Sequence, residues 1–231
     1  MKKNKVIAFF PKFDNLLKPL PAKKILPEWY KNQKSYTDIN EATIKKCIPI
    51  FDAMTFGYFL LLQSDITIDS RNKDKLSIST DNDFDNKIFK NHSFDQYSEY
   101  KIPFGYHSEI IRIHPMWCVK TSKGYSSLFL NPIHHESKDL IAIDGLIDTD
   151  NFISDGYLSF FVKSDSIFTI KKGTPLIQVI PFKREKWEME KKTVEETKKI
   201  IEYENDLGLI KNKKHQLGAY KNIFHVKKMF N

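Results

Sequence analysis

The sequence predicts a mainly β fold, a barrel or sandwich with an extended N-terminal arm and a C-terminal helix. Three observations predict it. Between Cys47 and Phe182, short runs of β-branched and aromatic residues alternate with turn residues. Before that stretch, Pro11, Pro19, Pro21 and Pro27 crowd the first forty residues. After it, Gly and Pro vanish from 184–205, where Glu and Lys dominate.

The β-rich runs fall at 58–63, 76–80, 109–113, 117–121, 125–130, 140–143, 157–162, 168–170 and 176–180. Alternation is clearest in Ile111-Arg112-Ile113 and in Tyr125-Ser126-Ser127-Leu128-Phe129-Leu130. Asn131-Pro132, Asp155-Gly156 and Lys172-Gly173 supply the turn chemistry between runs. Gly57, Gly145 and Gly173 are expected at turns or bulges, and Phe129, Ile147 and Ile177 in the core. The polar stretch 81–100 reads as a long loop. Its Asp81-Asn82-Asp83-Phe84-Asp85 start resembles a calcium loop but lacks the Gly and final Glu that such a loop requires.

Proline removes an amide donor and restricts its predecessor, so the arm is extended after a short strand at 5–10. Pro27-Glu28-Trp29-Tyr30-Lys31 reads as one helical turn, with Trp29 and Tyr30 anchoring the arm. At 184–205 the pairs Glu188/Lys192 and Glu195/Lys199 have the stabilising i,i+4 order. Trp187, Val194 and Ile201 form a narrow apolar stripe, fitted to pack on the β domain or to pair with another helix, and Gly208 terminates the segment. The chain divides into an arm at 1–46 packed on the domain, a β-rich core at 47–183, and a helix with a basic tail at 184–231.

The 231 residues are 41% apolar and include 18 Phe, enough for a core and incompatible with global disorder. The formal charge of +8 is uneven: the two ends, 1–34 and 183–231, sum to +12 and the middle to −4. The tail at 211–228 holds six Lys, two His and no acid. Such a tail suits an anionic or protein partner, or docking on the acidic core of its own chain or a neighbour. Nucleic acid is not favoured, because no Arg cluster or recognition motif accompanies the charge. No run approaches the ~20 apolar residues of a membrane span. Cys47 and Cys118 read as reduced, buried thiols, and the expected location is cytoplasmic, or the virion if the protein is phage-encoded.

Two constellations could carry chemistry. His107-Ser108-Glu109 puts an imidazole and a carboxylate on one face of a strand, and His134 or His135 could complete a two-His, one-carboxylate iron site. That pattern would belong to a metal-dependent oxygenase of the double-stranded β-helix type. The second is Gly145-Leu146-Ile147-Asp148-Thr149-Asp150, followed later by Gly173-Thr174-Pro175-Leu176-Ile177-Gln178-Val179. These segments resemble the dUTPase and dCTP deaminase superfamily, whose small β fold is called a β-clip. Met54-Thr55-Phe56-Gly57-Tyr58-Phe59 occupies the place of its first motif, and Lys123-Gly124-Tyr125-Ser126 that of its phosphate-contacting second motif.

The resemblance implies a ligand site around Asp148, Asp150, Phe152, Gln178, Tyr58 and Ser126, a homo-oligomer, and a divalent metal if nucleotide is bound. The departures are specific: Phe59 stands where the family has an acid, no Arg adjoins Ser126, and Asn151 replaces the sugar-stacking Tyr, with Phe152 one step away. The Gly-rich C-terminal motif is also absent. Over almost its whole length the chain also resembles an uncharacterised phage and bacterial domain family with no established activity. Its marks are Pro27-Glu28-Trp29-Tyr30, Met54-Thr55-Phe56-Gly57-Tyr58, Gly145-Leu146-Ile147-Asp148 and Val179-Ile180-Pro181-Phe182. The expected function is a β-rich binding or structural module working through oligomeric or protein contacts. A nucleotide-binding or nucleotide-hydrolysing protein and the oxygenase stand as alternatives, and no cofactor is predicted outright.

Overall fold

In the computed structural model the described residues are 5–81, 88–92, 94–135, 137–153, 158–206 and 220–230. In chain order the strands are β1 (Ile7–Pro11), β2 (Leu20–Pro21), β3 (Tyr58–Leu61), β4 (Ile66–Asp69), β5 (Ser77–Thr80), β6 (Phe89–Asn91) and β7 (Ile111–Ile113). They continue with β8 (Trp117–Thr121), β9 (Tyr125–Leu130), β10 (Leu140–Ala142), β11 (Gly145–Ile147), β12 (Leu158–Val162), β13 (Ile167–Ile170) and β14 (Pro175–Lys183). The α-helices are α1 (Glu28–Asn32), α2 (Ile48–Thr55) and α3 (Val194–Asp206).

All strand pairs are antiparallel. A five-stranded sheet runs β11-β9-β14-β3-β2, a four-stranded sheet β10-β12-β7-β6, a three-stranded sheet β13-β4-β5, and β1 pairs with β8. The chain is thus mainly β, with several antiparallel sheets and few helices. The main core draws on all the sheets, with Leu60, Ile68, Ile111, Phe129, Phe160 and Val179 fully buried, and a smaller cluster gathers Ala22, Phe59 and Leu61. Alternation produces the main core: in β7 and β8 every second residue is buried and its neighbours are half-exposed.

The N-terminal segment is woven into this core. Besides the pairing of β1 and β2, the Leu17 amide donates to Gln63 Oε1 at 2.7 Å, and the Leu17 carbonyl accepts from Gln63 Nε2 at 3.1 Å and Trp117 Nε1 at 2.9 Å. Tyr30 is buried and donates to the Lys45 carbonyl at 3.1 Å, while Trp29 Nε1 donates to the His134 carbonyl at 2.8 Å. The expected turn at Pro27 and its two aromatic anchors are therefore present.

Other expectations need correction. The core segment opens with a helix, α2, where Pro49 sits in the first turn without loss because its missing amide has no intrahelical partner there. Strands β4 and β6 are too short and polar to have been read from pattern. Gly145 lies inside edge strand β11 with ordinary φ, whereas Gly57 (φ 81°) and Gly173 (φ 87°) occupy the left-handed region. Cys47 and Cys118 are half-buried rather than buried, and no disulfide joins them. Helix α3 starts ten residues later than the composition suggests, because Thr193 and Glu196 cap each other: Thr193 Oγ1 accepts from the Glu196 amide at 3.2 Å and Glu196 Oε2 from the Thr193 amide at 2.8 Å.

The stripe does not pack on the β domain, since Trp187, Val194 and Ile201 are 85%, 66% and 49% exposed. The calcium-like residues Asn82 to Asp85, the turn at Asp155-Gly156, Gly208 and the tail at 211–219 lie outside the described residues. Among the described residues no helix is long and apolar enough to cross a membrane.

Phe129 and Ile177 are fully buried, and Ile147 packs on the rim of the core. Phe129→Ala and Ile177→Ala should each cost roughly 2–5 kcal/mol in urea denaturation, and Ile147→Ala less. Gly57→Ala should also destabilise, because its Cβ would stand 2.2 Å from the Val179 carbonyl oxygen. Wild-type stability in that variant would mean the left-handed turn is not rigid.

Candidate functional site

The register of two strand pairs builds a polar cluster at one end of the five-stranded sheet. On one side of β9, β14 sets Phe182 opposite Ser126 and Lys183 opposite Tyr125. The next residue, Arg184, passes the end of β9 and its amide donates to the Gly124 carbonyl at 2.9 Å. On the other side, β11 ends with Ile147 opposite Ser127. Asp148 and Arg184 therefore approach Ser126 from opposite flanks.

Ser126 Oγ donates to Asp148 Oδ1 at 2.6 Å. Arg184 Nη1 lies 3.0 Å from Ser126 Oγ, 3.2 Å from Asp148 Oδ1 and 2.8 Å from Asp150 Oδ1, and Nη2 lies 2.5 Å from Asp150 Oδ2. The Gly124 amide donates to Asp150 Oδ2 at 2.7 Å. The Asp150 side chain is 1% exposed and that of Asp148 is 55% exposed. Asp150 is thus an internal lock, and Asp148 presents an edge to solvent.

Thr149, between them, points inward. Its Oγ1 is 2.8 Å from Thr121 Oγ1 and 2.9 Å from Ser127 Oγ, a buried chain of hydroxyls. The Asp148 carbonyl accepts from the Asn151 and Phe152 amides and closes the turn.

The electrostatics follow from the fork geometry of arginine, which matches a carboxylate with two parallel bonds. The Arg184 guanidinium holds the Asp150 carboxyl down to about 2, assisted by the Gly124 amide and against the opposing effect of burial. The same contact raises the Arg184 pKa. Two carboxylates thus surround one guanidinium, which is committed to both.

Of the expected site residues, the structure joins Asp148, Asp150 and Ser126. Phe152 closes the same turn through its amide and is 64% exposed, as Leu146 (58%) and Ile153 (49%) are in the same stretch of chain. Gln178 is elsewhere. It pairs with Leu130, four residues along β9 from Ser126 and so about 14 Å away. Fully buried, it accepts from the Ile133 amide at 2.9 Å and donates to the Ala53 and Phe56 carbonyls at 3.0 and 2.6 Å. Those bonds make Gln178 a brace between α2 and the loop after β9. Tyr58 packs edge-on against Phe9 and Phe230 and lines a cleft of about 480 Å³ that also holds Lys5 and Tyr125.

The metal candidates are not brought together. His107 Nε2 is 2.8 Å from the Asn72 carbonyl and its Nδ1 accepts from the Glu109 amide, so both ring nitrogens are engaged. Glu109 accepts from the Leu76 amide and Asn91 Nδ2, both at 2.7 Å. His134 is exposed against Trp29, while His135 packs edge-on against Phe59 and burial pushes its pKa down. Among the described residues no group of three His, Cys, Asp or Glu side chains could hold a metal ion. The iron-site expectation is corrected accordingly: His107 and Glu109 spend their polar atoms on local structure, His134 stands exposed, and His135 Nε2 is buried with no hydrogen-bond partner among the described residues.

Two participants escaped sequence reading. Arg184 is one of three Arg in a Lys-rich chain, and its place just past a strand was the available signal. Asp52 receives the end of the basic tail: His225 Nε2 lies 3.0 Å and Lys228 Nζ 2.6 Å from its Oδ2. Phe230 then packs against Phe56 and Tyr58, with ring centroids 4.6 and 5.6 Å apart.

A carboxyl held below its ordinary 3.8 stabilises the folded chain above that pH and loses its contribution as pH falls through about 2. Asp150→Asn should therefore flatten the loss of stability between about pH 4 and 2, measured by urea denaturation at stepped pH. Asp69, held near 2 by Arg71, contributes equally to wild type and variant. Parallel pH profiles for the two proteins would refute the lock.

No protein-family model and no curated protein matches the chain. Among solved structures it is distantly similar to a mutant of the dUTPase from phage phi11 of S. aureus, at 14% identity and a TM-score of 0.35, over 82% of this chain and 97% of that one. It is likewise similar to the dUTPase of Staphylococcus bacteriophage 80alpha, at 12% identity and a TM-score of 0.36, over 82% of this chain and 96% of that one. Similarity at that level carries no activity over to this chain.

Proposed function

We propose that this protein is a β-rich binding module whose segment after β14 docks on another polypeptide, a second copy of this chain. One observation carries the reading: α3 and its approach expose a set of apolar side chains that no described residue covers. Trp187, Met189, Val194, Ile200, Ile201 and Tyr203 are all about half to fully exposed. On the helix, Val194, Ile200, Ile201 and Tyr203 fall within one half of the circumference, and Glu195, Lys198, Lys199 and Glu202 occupy the other. A 13-residue helix is marginal in water unless its apolar face is buried. The same chain leaves further apolar side chains exposed in the stretch that holds the Asp148 turn, Leu146, Phe152 and Ile153, and these are the proposed receiver. Arm and receiver are different patches, so the assembly closes as a reciprocal two-fold exchange or a ring, or extends as a filament. A β-clip-like reading of the core suits this role and rests on the order of its motifs.

Burying each isoleucine contributes about 1.5–3 kcal/mol. Ile200→Asp combined with Ile201→Asp should therefore weaken assembly by roughly 100-fold or more, seen as a shift to monomer in light scattering at matched concentrations. The circular dichroism of the β domain should be unchanged. A wild-type protein that stays monomeric up to high concentration defeats the proposal.

A second reading is a nucleotide site at the Asp148 turn. It is supported by the convergence of Ser126, Arg184 and a half-exposed Asp148, the Arg that the local sequence around Ser126 lacks being supplied by the end of β14. A thermal-shift panel of deoxynucleoside mono- and triphosphates tests it. Stabilisation by one base series, lost in Asp148→Asn, is the expected outcome, and no shift with any of them removes the reading.

A further inference from the structure

The segment Tyr220–Phe230 returns to the domain and encloses a cleft of about 490 Å³ against α2. That volume is within the range of small-molecule sites. Its floor is apolar: Ile48, Phe51 and Phe56 from α2 and its end, with Phe230 from the returning segment. Its lining also carries Lys23, Lys221, Lys227 and Lys228. Among the described residues of that lining Asp52 is the one carboxylate, and His225 and Lys228 both contact its Oδ2. Lys221 and Lys227 stand exposed at the mouth. Among the described residues, Lys221, Lys227 and Lys228 beside Asp52 leave an excess of positive charge next to an aromatic floor. Like charges held together in a concave site repel, and an anion relieves that repulsion.

From this juxtaposition we infer a binding site for a small organic anion, a phosphate-type head on an apolar body. The head lies at the mouth between Lys221 and Lys227, and the body lies on Phe51, Phe56 and Phe230. The body could be alkyl or aryl, and dodecyl phosphate and phenyl phosphate serve as the two probes. Inorganic phosphate tests the head alone.

The test is lysine acetylation of the intact chain, followed residue by residue by mass spectrometry. With a bound probe the acetylation of Lys221 and Lys227 should slow by roughly fivefold to tenfold, while Lys198 and Lys199 on α3 remain unchanged. The tighter of the two probes identifies the body. No protection, equal protection by inorganic phosphate, or equal protection of Lys198 and Lys199 overturns the site. A second measurement uses Lys221→Gln with Lys227→Gln. Probe affinity by calorimetry should fall by a similar factor with an unchanged circular dichroism spectrum, and an unaltered affinity also overturns it. Should that variant fail to fold, the footprint on the wild-type chain decides the matter alone.

Discussion

The antiparallel pairing of β9 with β14 organises the molecule. Six residue pairs, from Gln178 opposite Leu130 to Lys183 opposite Tyr125, fix the register of two strands at the centre of the five-stranded sheet. A slip of one residue would turn Phe129 and Val179 out of the core and drive Leu128 and Ile180 toward it. The polar features depend on the same register. At one end Arg184 meets Ser126 and the Asp148 turn, and at the other Gln178 reaches α2. Both are side chains whose bonds exist only if the ladder is in place, so the ladder and its two polar ends reinforce one another.

Much of the strand layout was legible because it rests on local alternation. Tyr125–Leu130 and Trp117–Thr121 coincide with the runs read from the sequence; the second alternates cleanly in burial, and the first does so apart from the buried pair Ser126-Ser127. Ile66–Asp69 was invisible: four residues with two polar side chains carry too little periodicity, and its partners on β5 and β13 decide its state. Helix α2 was hidden by its apolar composition, which reads equally as a buried strand until Gln178 closes its last carbonyls. Of the candidate site, adjacency along the chain was readable and adjacency across strands was not. Asp148 and Asp150 lie in one turn, and Ser126 followed from a motif. Arg184 arrives through the β9–β14 register, which no local pattern reveals.

That arginine changes how the turn should be regarded. A family-style reading of the segment places a nucleotide beside Asp148, where phosphate groups need cations with charge to spare. Here the guanidinium is shared between two carboxylates, and one of them, Asp150, is almost wholly enclosed. The cluster then serves first to pin the end of the sheet at the point where the chain leaves it. The half-exposed edge of Asp148 is what keeps a ligand reading testable.

The two halves of the basic C-terminal region meet different fates for a physical reason. The segment ending at Phe230 finds an anchor within its own chain, an aromatic pocket from Phe56 and Tyr58 together with the Asp52 carboxylate. Its excess lysines are left facing the cleft that this docking creates. The segment from Trp187 to Tyr203 has equal apolar content but meets no such receptor among the described residues, and its helix ends up capped, amphipathic and bare. Charge cannot explain the difference, because surface ion pairs contribute little. Apolar burial can: where the chain supplies a pocket the segment docks, and where none is supplied among the described residues the apolar face stays exposed.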